Sequence, residues 1–178
     1  EGLHGAFGFP IRSGGEVLGV LEFFSKRIEQ PDEDLLRLFA AVGSQIGQFI
    51  ERRRAEQALA EREELLRATF DHAPEGISLC DVSGRFIKAN RALQSMLGYS
   101  EGELRQMALA DLIHPEERSE GLRLREELIA GKRTRTVSNR RYLRKDGSVV
   151  SARITASAVH GGDGSVRYTV GLIEDVTE

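Results

Sequence analysis

Few side chains in this sequence have the type and spacing to do chemistry. Its one cysteine, Cys80, has no partner for an internal disulfide. The four histidines, His4, His72, His114 and His160, are scattered without metal-ligand spacing, so no metal site is expected. The stretch "HGGDGS" sets Gly161, Gly162, Asp163 and Gly164 between two strand-like runs, the makeup of a hairpin turn. No glycine-rich loop runs from a strand into a helix to cradle phosphate, and no serine or cysteine triad can be argued from spacing. The chain therefore reads as having no catalytic residues. One basic cluster, Arg135, Arg140, Arg141, Arg144 and Lys145 interleaved with Tyr142, has the makeup of a nucleic-acid contact. Against that stand a net charge of −3, which provides no basic field, and the ordinary occurrence of alternating long cations on the wet face of an antiparallel sheet. Nucleic acid is not an expected partner.

The elements that would position these groups follow from patterning. A chain of 178 residues, 40% hydrophobic and 30% charged, has a globular balance and room for one or two modest domains. No apolar run approaches the ~20 residues of a membrane span, so no direct membrane insertion is expected. A lone thiol fits a reducing, cytoplasmic setting. "GFPIR", Ser13-Gly14-Gly15-Glu16 and "VLGVLEFFS" predict a hairpin. With no sheet of its own to join, residues 8–26 are expected to be disordered or to borrow a strand. Asp32 then reads as the N-cap of a helix running to residue 72, roughly 60 Å long at about 1.5 Å per residue. Leu35, Phe39, Val42, Ile46 and Phe49 recur at spacings of four and three, a coiled-coil seam. Beyond them strict register would put Arg53, Glu56 and Glu63 on the seam. Ala55, Leu59, Arg62, Leu66 and Thr69 form a better stripe in a shifted frame, which reads as a stutter. Five acidic and five basic residues across 51–67 are spaced for i to i+4 pairs on a solvated helix. The expected partner is a second copy of the chain, paired through Leu35, Phe39, Val42, Ile46, Phe49, Leu59 and Leu66.

After Pro74 come short elements: a hairpin around Asp81-Val82-Ser83-Gly84, a helix capped by Asn90 and ended at Gly98, and a helix opened by a Ser100–Glu103 capping box. Another helix starts at Pro115 and closes near Gly131. Three strands follow, at 134–145, 148–159 and 166–176. That order, with the words "DHAPEGISLCDVSGRFIKANRALQSMLGYSEGEL", "LIHPEE", "RYLRKDGSVVSARIT" and "GLIEDVTE", resembles a PAS domain of the kind repeated in bacterial sensor kinases. The resemblance covers about residues 68–178. It implies an α+β fold with a five-stranded antiparallel sheet and helices on one side. The segment from "GFPIR" to "QFIERR" resembles the last two strands and closing helix of a GAF domain, whose remainder is expected upstream. The domain organisation is therefore read as 1–31 GAF hairpin, 32–72 closing helix and signalling coiled coil, and 73–178 PAS domain.

The resemblance also implies a pocket behind the sheet. In the second-last strand Val150, Ala152, Ile154, Ala156 and Ala158 share a face whose alanines leave volume if it points inward. The pocket is expected among Ile77, Leu79, Phe86, Ala89, Leu93, Met96, Leu97, Leu112, Ala152, Ile154 and Ala156, with Arg141 facing it to pair with an anionic carboxylate. Alternatively, the large side chains simply fill it. The cofactor is left unknown. The light-sensing relatives carry their cysteine in an N-C-R-F helix, whereas Cys80 lies on the first strand, on its expected outer face, as a small packed thiol. Haem-binding relatives place a histidine in the helix after "HPE", where this sequence has Glu120 at or near the ligand position. His114, just before Pro115, fits a helix-entry role better. Neither flavin nor haem is expected. "GGDG" departs from the GGDEF signature of diguanylate cyclases after three residues. "DVTE" is similar to the D-[IV]-T motif that ends the last strand, where Asp175 and Thr177 would couple the sheet to an output helix. The function implied is a non-catalytic sensory and relay module acting on a C-terminal effector, which could be a histidine kinase, cyclase, phosphodiesterase or chemotaxis receptor. A constitutive dimerisation scaffold without ligand is the alternative.

Overall fold

The computed structural model describes residue 2, residues 5–26 and residues 33–177. It divides into two compact units, Glu1–Leu65 and Leu66–Glu178, with the division inside one long helix. Among the described residues no helix is long and apolar enough to cross a membrane.

In the first unit, β1 (Gly5–Ser13) and β2 (Glu16–Ser25) pair antiparallel through the two-residue turn Gly14-Gly15. Both glycines have positive φ, 54° and 92°, as a tight hairpin turn of this length demands. Helix α1 (Glu33–Asp71) covers the ribbon, so these strands are ordered and packed within the unit rather than standing alone. The contact is backbone to backbone: a Cβ on Gly43 would lie 2.7 Å from the Pro10 carbonyl oxygen, and one on Gly47 only 2.1 Å from that of Arg12. Phe39 stacks on Phe9 with ring centroids 4.4 Å apart and lies 4.6 Å from Phe23. A residue expected on the helix seam is thus committed inside the unit. Leu35, Val42, Phe49, Leu59 and Leu66 are exposed along α1, and Ile46 is half-buried. Within 51–67 the expected spaced pairing is seen in Arg52 with Glu56 at 2.8 Å, and Arg37 pairs in the same way with Glu33 at 2.9 Å nearer the helix start. The expected Asp32 cap lies outside the described residues.

The second unit runs β3 (Gly76–Cys80), β4 (Phe86–Ala89), α2 (Arg91–Leu97), α3 (Glu101–Leu104), α4 (Leu109–Leu112), a 3-10 turn Pro115–Glu117, α5 (Arg118–Ile129), β5 (Arg135–Leu143), β6 (Val149–His160) and β7 (Val166–Asp175). The strands form one antiparallel sheet in the order β4-β3-β7-β6-β5, the α+β arrangement expected. Gly98 ends α2 at φ 77°, and Ser100 and Glu103 close a reciprocal capping box on α3. Leu93, Leu97, Leu104, Leu112 and Leu128 are buried, and the first four pack with Val150, Ala152, Ile154 and Ile173 of the sheet. Each such leucine is worth about 2 kcal/mol of burial.

Asn90 does more than cap a helix. It is fully buried, and its Oδ1 accepts from the amides of Leu93 (3.0 Å) and Ile77 (2.8 Å). Its Nδ2 donates to the carbonyls of Phe70 (3.1 Å) and Glu75 (2.9 Å). One side chain thereby joins the last turn of α1, the link after it, β3 and α2.

Two predictions follow from this packing. Asn90→Ala is expected to cost roughly 3–5 kcal/mol by urea denaturation, since it removes a cap and strands buried backbone groups. Asn90→Asp, which keeps the acceptor and loses the donors, should fall between it and wild type. In the first unit, Gly47→Ala should release β1 from α1 and speed amide exchange across 5–25. Gly19→Ala, whose Cβ would meet only Ile11 Cδ1 at 3.7 Å, should not.

Candidate functional site

A cavity of about 40 Å³ lies between α5 and the helix-covered face of the sheet. A single transverse row of strand partners explains the space: Ser78 on β3 opposes Gly171 on β7, which opposes Ala156 on β6, which opposes Thr136 on β5. Four small residues in line leave no large side chain to fill the sheet's middle. Gly171 is fixed there, because a Cβ would meet Ser78 Oγ at 2.7 Å. Cys80, Thr169, Ser138, Arg140, Tyr142 and Ile154 join Val170 and Ile173 on the sheet side, and Gly121, Leu124, Arg125 and Leu128 of α5 form the opposite wall.

Most of the lining is apolar, with Leu109, Leu124, Leu128, Val170 and Ile173 among it, and the polar part is positive. No carboxylate is among the lining residues, while two arginines are. Arg125 donates through its Nη atoms to the carbonyls of Asp81 and Val82, and its buried Nε has no acceptor among the described residues. Burial lowers the Arg125 pKa, offset by the nearby Cys80 and Asp81. Burial pushes the Tyr142 phenol up, with the charge of Arg140 acting the other way. Thr169 Oγ1 donates to the Cys80 carbonyl at 3.3 Å. Among the described residues no group of three or more His, Cys, Asp or Glu is placed to hold a metal ion.

Of the residues expected around a pocket, Ile154 and Ala156 line this cavity. Phe86, Ala89, Leu93, Leu97, Leu112 and Ala152 are in the packed core beside it, and Met96 packs against that core. Ile77 and Leu79 are half-buried on the alternate set of β3, while Ser78 and Cys80 point inward; the expected phase of that strand is inverted. Cys80 accordingly is on the inner face, 2% exposed, rather than the outer. Arg141 likewise is not in the cavity. It bonds through Nε to Glu117 (2.7 Å) and through Nη2 to Glu116 (2.6 Å). Its neighbour Arg140 takes the inward place, because β5 turns in Thr136, Ser138, Arg140 and Tyr142. Both alternating sets of β5 carry polar residues and cations, so patterning alone gave no preference between them.

The end of β7 is held by side chains. Asp175 Oδ1 accepts from the Thr177 amide (2.9 Å), Thr177 Oγ1 accepts from the Ser151 amide (3.1 Å), and Arg144 Nη2 lies 3.4 Å from Asp175 Oδ2. Bonds from Thr177 hold the Asp175 carboxyl below its ordinary range. "HGGDGS" forms the β6–β7 turn, where Asp163 Oδ1 accepts from the Ser165 amide at 3.0 Å.

Burial pushes the Cys80 thiol up to about 12, so it stays protonated near neutral pH. Iodoacetamide at pH 8 is expected to modify Cys80 only as the domain unfolds, with a rate that rises along the urea transition. A folded pKa raised above 9.0 also makes the thiol's contribution to stability full below that pH and progressively lost as pH climbs toward 12. Rapid alkylation of the native protein would contradict both.

Comparison with known proteins agrees with this geometry. Over 126 residues the chain is 33% identical to the probable diguanylate cyclase DgcE of Escherichia coli, covering 70% of this chain and 11% of that protein. It is 29% identical over 186 residues to a methyl sulfide methyltransferase-associated sensor of Methanosarcina acetivorans, covering 99% of this chain and 18% of the relative. The chain thus spans less than a fifth of the length of these curated relatives. Among solved structures, the PAS domain of an HTR-like protein from Haloarcula marismortui superposes with a TM-score of 0.57 at 22% identity, over 70% of this chain and 99% of that one. Residues 64–176 match the family model described as the PAS fold, and with the five-stranded sheet, its helices and the cavity between them, the chain belongs to the PAS fold family.

Proposed function

We propose that this chain is a non-catalytic sensory and relay module, with the cavity between α5 and the sheet as its sensing site. The observation that carries the reading is a cavity whose walls include two arginines, four aliphatic hydroxyls and no carboxylate, left open by a row of small residues across the sheet. A domain serving only as a scaffold gains nothing from buried cations facing a void. Relatives named as a sensor histidine kinase and a sensor add support for a signalling role.

Relay follows from the way input and output meet on β3. The last turn of α1 reaches Asn90 through the Phe70 carbonyl, and Asn90 also fixes the Ile77 amide. Ile77 pairs with Leu172 of β7, three residues before Asp175. A ligand that repositions the inward side chains of β7 would thus bias both the incoming helix and the Asp175–Arg144 contact at the exit. In this reading α1 pairs with a second copy through Leu59, Leu66 and the exposed seam residues, the first unit is the end of a GAF domain, and an effector such as a kinase or cyclase lies beyond Thr177.

A thermal-shift screen of fractionated small metabolites on the 178-residue chain tests the sensing role. At least one fraction is expected to raise the melting temperature, and Ala156→Phe, which fills the cavity, should abolish the rise. If no fraction shifts the wild-type chain, the scaffold reading takes its place.

A further inference from the structure

The cavity contains an unsolved charge problem. Arg140 is 9% exposed. Among the described residues no hydrogen bond or ion pair joins its guanidinium to a protein acceptor, although the next residue, Arg141, holds two carboxylates. An arginine cannot shed its proton to escape this, and a buried charge is tolerated where something pairs with it. The fold makes room for the group deliberately. Gly121 of α5 sits against the guanidinium, where a Cβ would come within 2.8 Å of Nη1. Around it, Ser78, Thr136 and Ser138 offer hydroxyl donors, and Arg125 brings a buried Nε–H that also lacks an acceptor.

We infer that the cavity binds a small oxyanion, carboxylate or inorganic, anchored by the planar fork of Arg140. The inference rests on the reading of this cavity as the sensing site. Charge sets the sign of the ligand: within a largely apolar lining the polar groups are cations and hydroxyls with no anion, so a neutral or cationic guest would leave the guanidinium unpaired. Shape sets its type, since the guanidinium presents parallel N–H groups that match two oxygens of one planar or tetrahedral anion. Volume sets its size. About 40 Å³ accommodates roughly three to four oxygen-sized positions at about 10–15 Å³ each, the scale of formate, acetate, nitrate or phosphate rather than a ring system.

The test is a melting-temperature titration of the 178-residue chain at fixed ionic strength with acetate, formate, nitrate, phosphate and the neutral isostere acetamide. A bound oxyanion at 100 times its Kd is expected to raise the melting temperature by roughly 5–10 °C. Acetamide should leave it unchanged, and the responding anion separates a carboxylate source from an inorganic one. Arg140→Met is expected to weaken binding roughly 30-fold or more, whereas Arg141→Met, which removes the same charge outside the cavity, should retain it. If Arg140→Met fails to fold, Arg140→Lys keeps the charge without the fork and should bind roughly tenfold more weakly; unchanged affinity there would overturn the assignment. So would a response lost in Arg141→Met and kept in Arg140→Met. A response to acetamide alone, or to metabolite fractions without any of the four anions, overturns the oxyanion and leaves the sensing role standing. No response to any compound or fraction removes both.

Discussion

Asn90 is the constraint around which the PAS unit is arranged. A fully buried primary amide has one acceptor and two donor hydrogens to satisfy, and every protein group it meets here is backbone. Because backbone positions cannot swing away as side chains do, the four bonds fix the distances among the end of α1, the link at Glu75, the start of β3 and the first turn of α2. The remaining topology grows from that node: β3 pairs with β4 on one side and β7 on the other, and β7 carries β6 and β5 outward. A polar side chain is suited to this place because a hydrophobic contact is non-directional and would allow the helix end to slide.

A second tension runs through the sheet. The row Ser78-Gly171-Ala156-Thr136 gives up apolar packing at the middle of the domain, at a cost that leucines in the same places would avoid. Facing it, α5 places Gly121 and Arg125 where a bundle-like core would place larger apolar residues. Sacrificed packing, buried cations and missing carboxylates coincide in one volume. Just outside, Arg141 with Glu116 and Glu117 shows how the same fold treats a cation with no ligand to meet. Natural sequences depart from consistent core packing chiefly where function requires it.

Four strand exits in the unit use one local device, an aspartate whose Oδ1 accepts the amide two residues on: Asp81 with Ser83, Asp146 with Ser148, Asp163 with Ser165 and Asp175 with Thr177. At the first three the device closes a hairpin, where the following glycine or the reversed chain finishes the turn. At the fourth, Thr177 Oγ1 reaches across to accept from the Ser151 amide. The same chemistry that ends a strand elsewhere here clamps the end of β7 to the neighbouring strand.

The sequence by itself determined most elements of the PAS unit and their order, though not the short α4, because caps, turns and glycines act over three or four residues and are written locally: Asn90, the Ser100–Glu103 box, Gly98 and Asp146-Gly147 all perform as their spacing implies. It also determined the inward face of β6, where Val150, Ala152 and Ile154 alternate with Ser151, Arg153 and Thr155. In β3 the apolar pair Ile77 and Leu79 points to the wrong face, and in β5 both alternating sets are mixed, so a shift of one position exchanges the faces. Only the ladder decided: Arg140 opposes Ala152, and Ser138 opposes Ile154, so the legible face of β6 fixes the parity of β5. The register that makes Arg140 the cavity residue and Arg141 the ion-pair residue depends on partners far away in the chain. That is why the small inward residues of β6 were readable, while the charge beside them emerged only from the tertiary structure.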